Sequence, residues 1–80
     1  MKPPALITRP VLREFAKELR AARLHARVSM VQLAAKAGMT RQGLLKIEKG
    51  GNVTLATIVL LADALGYQVS DFFRRKAPWD

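Results

Sequence analysis

Eighty residues, half of them hydrophobic and a quarter charged, fit one small globular domain and exclude most multi-part enzymes. Fourteen Lys and Arg against six Asp and Glu leave a net charge of +8, so nucleic acid or another large anionic surface is the first partner to expect. With no cysteine, the chain has neither a disulfide framework nor a cysteine-based zinc site, and no apolar run approaches the roughly 18 residues of a membrane span. Stability must therefore come from packing, helped by a second subunit, in a soluble protein expected in the cytoplasm.

The charge is unevenly distributed. Residues 1–50 carry eleven Lys and Arg against three Glu, whereas residues 51–80 carry three of each sign. Anion attraction is thus concentrated in the first two thirds, and the neutral last third is the more apolar.

Residues 1–9, with two prolines and no periodicity, read as a flexible arm. From Pro10, a favourable first-turn residue, the pattern becomes helical, with Leu12, Phe15, Ala16, Leu19 and Ala22 on one face, ending near Ala26. Ser29-Met30-Val31-Gln32 reads as a capping box that opens a second helix. Its inward residues are Leu33, Ala34 and Ala37, and it stops at Gly38. Thr40 caps a third helix, Arg41 to about Lys49, with Leu44 and Ile47 buried and Gly50-Gly51 as its stop. After a short loop, Thr54 caps a fourth helix whose inward residues are Leu55, Ile58, Leu61, Ala62 and Leu65, closed by Gly66. Ser70 caps a last short helix, Asp71-Phe72-Phe73, and residues 74–80 read as a basic tail. The fold class is all-α, with five helices in a domain over residues 10–73.

Two short helices joined by a tight glycine-containing turn, the second amphipathic with polar residues outward, are the parts of a helix-turn-helix. Ser29 to Gly50, SMVQLAAKAGMTRQGLLKIEKG, resembles the helix-turn-helix of the XRE family, the Cro and phage-repressor type. The continuation NVTLATIVLLADALGYQVSDFF is similar to that family's fourth and fifth helices, so the resemblance extends over about residues 11 to 73. It implies a five-helix, lambda-repressor-like domain that binds double-stranded operator DNA, usually as a homodimer, to regulate transcription.

Carried over residue by residue, the resemblance makes the helix 41–49 the recognition helix in the major groove, with Arg41, Gln42, Leu45 and Lys46 facing base edges. The side chains suit that role: Arg and Lys bond guanine O6 and N7, Gln pairs with adenine, and an apolar group touches the thymine methyl. Gly43, on the same surface, would let backbone approach the DNA. The resemblance places Ser29, Thr40, Lys49, Gly51, Asn52 and Thr54 at the phosphates, where helix N-termini and short polar side chains bind anions. It also pairs Arg23 with Glu48, an ion pair that holds the recognition helix without reading DNA.

The chain departs from the family in two places. Met30 stands where many members carry a glutamine that touches phosphate, and Val53 stands near a frequent proline in a shortened loop. In the fourth helix, Val59 and Leu60 add apolar side chains on the face away from the core, which marks either a partner surface or an extension of the core. His25, the one histidine, has no second ligand in sequence, and no catalytic set, metal cluster or phosphate-cradling glycine loop is present. Neither enzyme activity, nor a cofactor, metal or small-molecule ligand is expected. The main reading is a homodimeric repressor of an inverted repeat. Its rivals are the antitoxin of a toxin-antitoxin pair, whose toxin partner would cover the fourth helix or the tail, a restriction-modification controller, and an interaction module without DNA binding.

Overall fold

A computed structural model describes residues 5–74 and 76–80, with side chains from Pro10 onward. Four α-helices follow one another: α1 (Ala5–His25), α2 (Met30–Ala37), α3 (Arg41–Glu48) and α4 (Leu55–Leu65). A 3₁₀ helix, Val69–Phe73, takes the place of the expected fifth α-helix, and the described residues contain no strand. The all-α class is thereby observed, with a tighter last element. None of these helices is long and apolar enough to cross a membrane among the described residues.

The core forms where α1, α2, α3 and α4 converge. Phe15, Leu19, Leu33, Leu44 and Leu61 are its largest fully buried side chains, joined by Ala22, Ala34 and Ala62, whose small side chains allow close helix approach. α2 packs on both α3 and α4, while α1 crosses α3 and reaches the 3₁₀ helix. Most helix ends are set by the chemistry of a few neighbouring residues. Gly38 and Gly66 close α2 and α4 at φ 70° and 80°, a region that costs a residue with a Cβ roughly 1–2 kcal/mol. Arg27, at φ 57°, makes the same left-handed turn between α1 and α2 without glycine's freedom.

Several expectations need correction. First, the expected arm is partly helix: α1 begins at Ala5, so Pro10 lies inside it and contributes no backbone N–H. Ala5-Leu6-Ile7-Thr8-Arg9 contains no breaker, and the turn continues through it; residues 1–4 lie outside the described residues. Second, Leu55 is not inward. As the first residue of α4, ahead of the neighbours that cover Ile58 and Leu61, it is 68% exposed, whereas Leu65, half-buried, packs against the core as expected.

Third, the C-terminal residues are not a free tail. Ala77 and Trp79 are buried, with the Trp79 ring 4.8 Å from Phe72 and 5.0 Å from Tyr67, centroid to centroid. The indole Nε1–H donates to Glu18 Oε2 on α1 at 2.9 Å, so the one polar atom of the ring is satisfied as the ring is buried. The Asp80 carboxylate closes the turn by accepting the Ala77 N–H at 3.0 Å. Arg75, within the same stretch, lies outside the described residues. Upstream, the 3₁₀ helix is capped by Asp71, whose buried carboxylate accepts the Gln68 N–H at 2.9 Å. Ser70 lies inside that element and does not cap it.

Candidate nucleic-acid interface

α2 starts at a complete capping box. Ser29 Oγ accepts the Gln32 N–H at 3.1 Å, and Gln32 Oε1 accepts the Ser29 N–H at 2.9 Å, so two otherwise unpaired donors are satisfied. After Gly38 the chain needs only Met39 before Thr40 opens α3, its Oγ1 accepting the Gly43 N–H at 3.0 Å. The turn is locked from behind by the Met39 N–H, which donates to the Ala34 carbonyl at 2.9 Å. Ala34 is buried in the core, where a longer side chain would have to displace its packed neighbours.

On α3 the inward and outward sides separate cleanly. Leu44 and Ile47, three residues apart, are buried, whereas Arg41, Gln42 and Lys46 are exposed and Leu45 is half-buried beside them. Spacings of one, four and five residues put these four side chains on one outward strip. Gly43 has a local reason to be small: a Cβ there would lie 3.1 Å from Thr40 Oγ1, pressing on the helix cap.

The far end of α3 is tied to α1. Arg23 Nε donates to Glu48 Oε2 at 2.8 Å and Nη2 to Oε1 at 3.1 Å, a two-point geometry, while Nη1 donates to the Val28 carbonyl at 3.1 Å. The two side chains are 10% and 3% exposed, so the pair acts inside the fold and is hidden from any ligand on the outer face of α3. It fixes the pitch of α3 against the core, which a ligand reading several side chains at once requires.

The remaining positions assigned to phosphate lie around this unit. Ser29 and Thr40 are exposed helix caps, and their hydroxyls accept one backbone N–H each, which leaves the O–H hydrogen to donate. Thr54 caps α4 by accepting the Thr57 N–H at 3.1 Å and also bonds the Thr57 hydroxyl at 3.0 Å. Lys49 and Asn52 are exposed. Gly51 is dictated by the loop itself, since its N–H donates to the Lys46 carbonyl at 2.8 Å and a Cβ would come within 2.7 Å of that oxygen. Met30 and Val53, the two departures, are half-buried against the core.

The tertiary structure adds two side chains of α1 to this neighbourhood. Arg13 and Lys17 of α1 line a recess of about 220 Å³ together with Glu48, Lys49 and Gly50. A spacing of four residues on an outward helix face was the available signal, but nothing local says which neighbour that face meets. His25 is exposed at the end of α1.

A family model described as helix-turn-helix matches residues 19–72, which takes in α2, α3, α4 and most of the 3₁₀ helix. No curated protein matches the chain.

Proposed function

From the premise that the chain belongs to the XRE-type helix-turn-helix family of DNA-binding transcription regulators, we propose that it acts in the cytoplasm as a homodimeric repressor of an inverted-repeat operator. The observation that carries this reading is the outward strip of α3. Exposed Arg41, Gln42 and Lys46, with Leu45 at its edge, sit on a short helix immobilised by the Thr40 cap, the Leu44 and Ile47 anchors and the Arg23–Glu48 pair. Two or three hydrogen-bonding side chains on a fixed helix are what base-edge recognition in the major groove needs.

Arg41, Gln42, Leu45 and Lys46 contact base edges in this reading, and Ser29, Thr40, Lys49, Gly51, Asn52 and Thr54 border the phosphates. The exposed caps favour Ser29 and Thr40 as donors of O–H to phosphate oxygens, because capping uses only their oxygen lone pairs. For Gly51 the contribution is backbone. The loop is held by the bond to Lys46, and the glycine leaves the adjoining surface bare.

The outward face of α4 supports a protein partner as well. Leu55, Val59 and Leu60 are 68%, 48% and 51% exposed, and Asp63 is the one charge among the outward residues of that helix. In a chain of net charge +8, an apolar face that carries no positive charge is where a second copy approaches with least repulsion. The same face favours the second reading, an antitoxin whose toxin partner covers α4.

Selection of random duplexes by the purified protein at moderate salt, followed by sequencing, tests the proposal. Recovery of an inverted repeat with half-site centres about 34 Å apart is the expected result. A folded helical protein that enriches no motif would refute the operator reading. A second, unrelated chain that co-purifies in fixed stoichiometry would favour the antitoxin.

A further inference from the structure

The charges of α1 divide by flank. Arg13, Lys17 and Arg20 recur at spacings of four and three residues, one stripe along the helix, while Glu14 and Glu18 form the adjoining stripe. The tertiary structure gives the two flanks different neighbours. Glu14 and Glu18 border an open groove of about 620 Å³ beneath the C-terminal segment, where Glu18 holds Trp79. Arg13 faces the other way, toward Lys49 and Gly50 at the end of α3, and Lys17, on the crest between, borders both hollows.

Three cations thus surround the recess beside α3, and none is neutralised by the protein. Among the described residues only Arg23 and Arg74 lie within salt-bridge distance of a carboxylate, and all six acidic residues are described. Glu48, the one carboxylate at the recess, is already engaged at both oxygens by Arg23. Arg13 is positioned by packing: its Cγ lies 3.6 Å from where a Cβ on Gly50 would stand, so its stem runs over a glycine held at φ +93°. Like charges gathered without counterions, one of them on a pre-positioned stem, form a site for an external anion.

We propose that Arg13 and Lys17, together with Lys49, form a phosphate site for the duplex DNA backbone, so that the footprint runs from α3 onto α1. The proposal rests on the operator reading. Continuity selects DNA over other anions, because the recess adjoins the loop that leads from α3 and shares Lys49 with it. Arg13 and Lys17 lie on α1 outside the residues that the helix-turn-helix model matches, so the family match does not itself assign them this contact. Phosphate contacts of this kind add affinity without sequence preference.

The test is the double variant Arg13→Gln/Lys17→Gln in the full chain, titrated over a range of salt concentrations against the selected operator and a scrambled duplex of the same length. The expected result is an equal loss of affinity on both duplexes and a slope of log K against log salt shallower by about 2 per protomer. Thermal stability should be unchanged, since both side chains are exposed. Arg74→Gln/Lys76→Gln removes the same charge from the C-terminal segment. An unchanged slope in the first variant, or an equal change in the second, overturns the phosphate site while leaving the operator reading intact. Failure of the unmodified protein to bind duplex DNA overturns both.

Discussion

The helix-turn-helix unit and the C-terminal segment are held by different means. In α2 and α3 the decisive hydrogen bonds join residues three to five positions apart: Ser29 with Gln32, Thr40 with Gly43, Met39 with Ala34. From Val69 to Asp80 the decisive contacts are long-range, with Trp79 bonded to Glu18 across 61 positions and wedged against Phe72 and Tyr67. The comparison teaches that the region expected to meet DNA is shaped largely by its own local chemistry. The segment that reads as a tail is held instead by surfaces that distant parts of the chain bring to it, Glu18 of α1 and the Tyr67 and Phe72 rings.

Three substitutions sharpen or break that contrast. Trp79→Ala should have the largest effect, a loss of about 3–5 kcal/mol, because it empties a buried aromatic site and leaves Glu18 without its partner. Urea denaturation followed by far-ultraviolet circular dichroism measures it. A variant as stable as the parent would mean that the segment is not part of the core, and the contrast would collapse.

Glu48→Ala should come next, at about 3 kcal/mol, since it strands the Arg23 guanidinium with only the Val28 carbonyl as partner. This pair ties the end of α3 to α1, so DNA affinity should fall along with stability. Replacing both partners with apolar residues, Arg23→Met/Glu48→Leu, should recover most of the stability because no charge is left alone. If the double variant is no more stable than Glu48→Ala, the pair stabilises α3 by some means other than mutual neutralisation.

The smallest effect belongs to a local contact. Thr40→Ala removes the acceptor for the Gly43 N–H and should cost about 1 kcal/mol, measured by the same denaturation. Thr40→Ser, which keeps the oxygen, should behave like the parent. A loss approaching that of Trp79→Ala would show that the turn depends on more than its cap.

The legibility of the site follows the same division. The caps at Ser29, Thr40 and Thr54 and the glycine stops at Gly38 and Gly66 are readable because each satisfies backbone groups within a few residues of itself. The buried and exposed sides of α3 are readable because helical periodicity assigns them before any neighbour is known. Pro10 misleads, since proline at a helix start is a preference that a turn already under way can override. Leu55 misleads for another reason: periodicity gives a direction but not whether a neighbour extends far enough to cover the first turn. The recess of Arg13, Lys17 and Lys49 could not be read at all, because it exists only where α1 crosses the end of α3.

By itself, the sequence determined four helices, most of their boundaries, the tight turn between α2 and α3 and the polar strip that α3 turns outward. These depend on backbone hydrogen bonding and side-chain periodicity over one or two turns, which neighbouring residues dictate. Only the tertiary structure decided that α1 extends back past Pro10, that Trp79 returns to Glu18, that α4 exposes Leu55, Val59 and Leu60, and that two cations of α1 stand beside Lys49. Those outcomes depend on which distant surfaces meet and how far they cover one another, and the free energy of burial that selects them is a sum over the whole packed core.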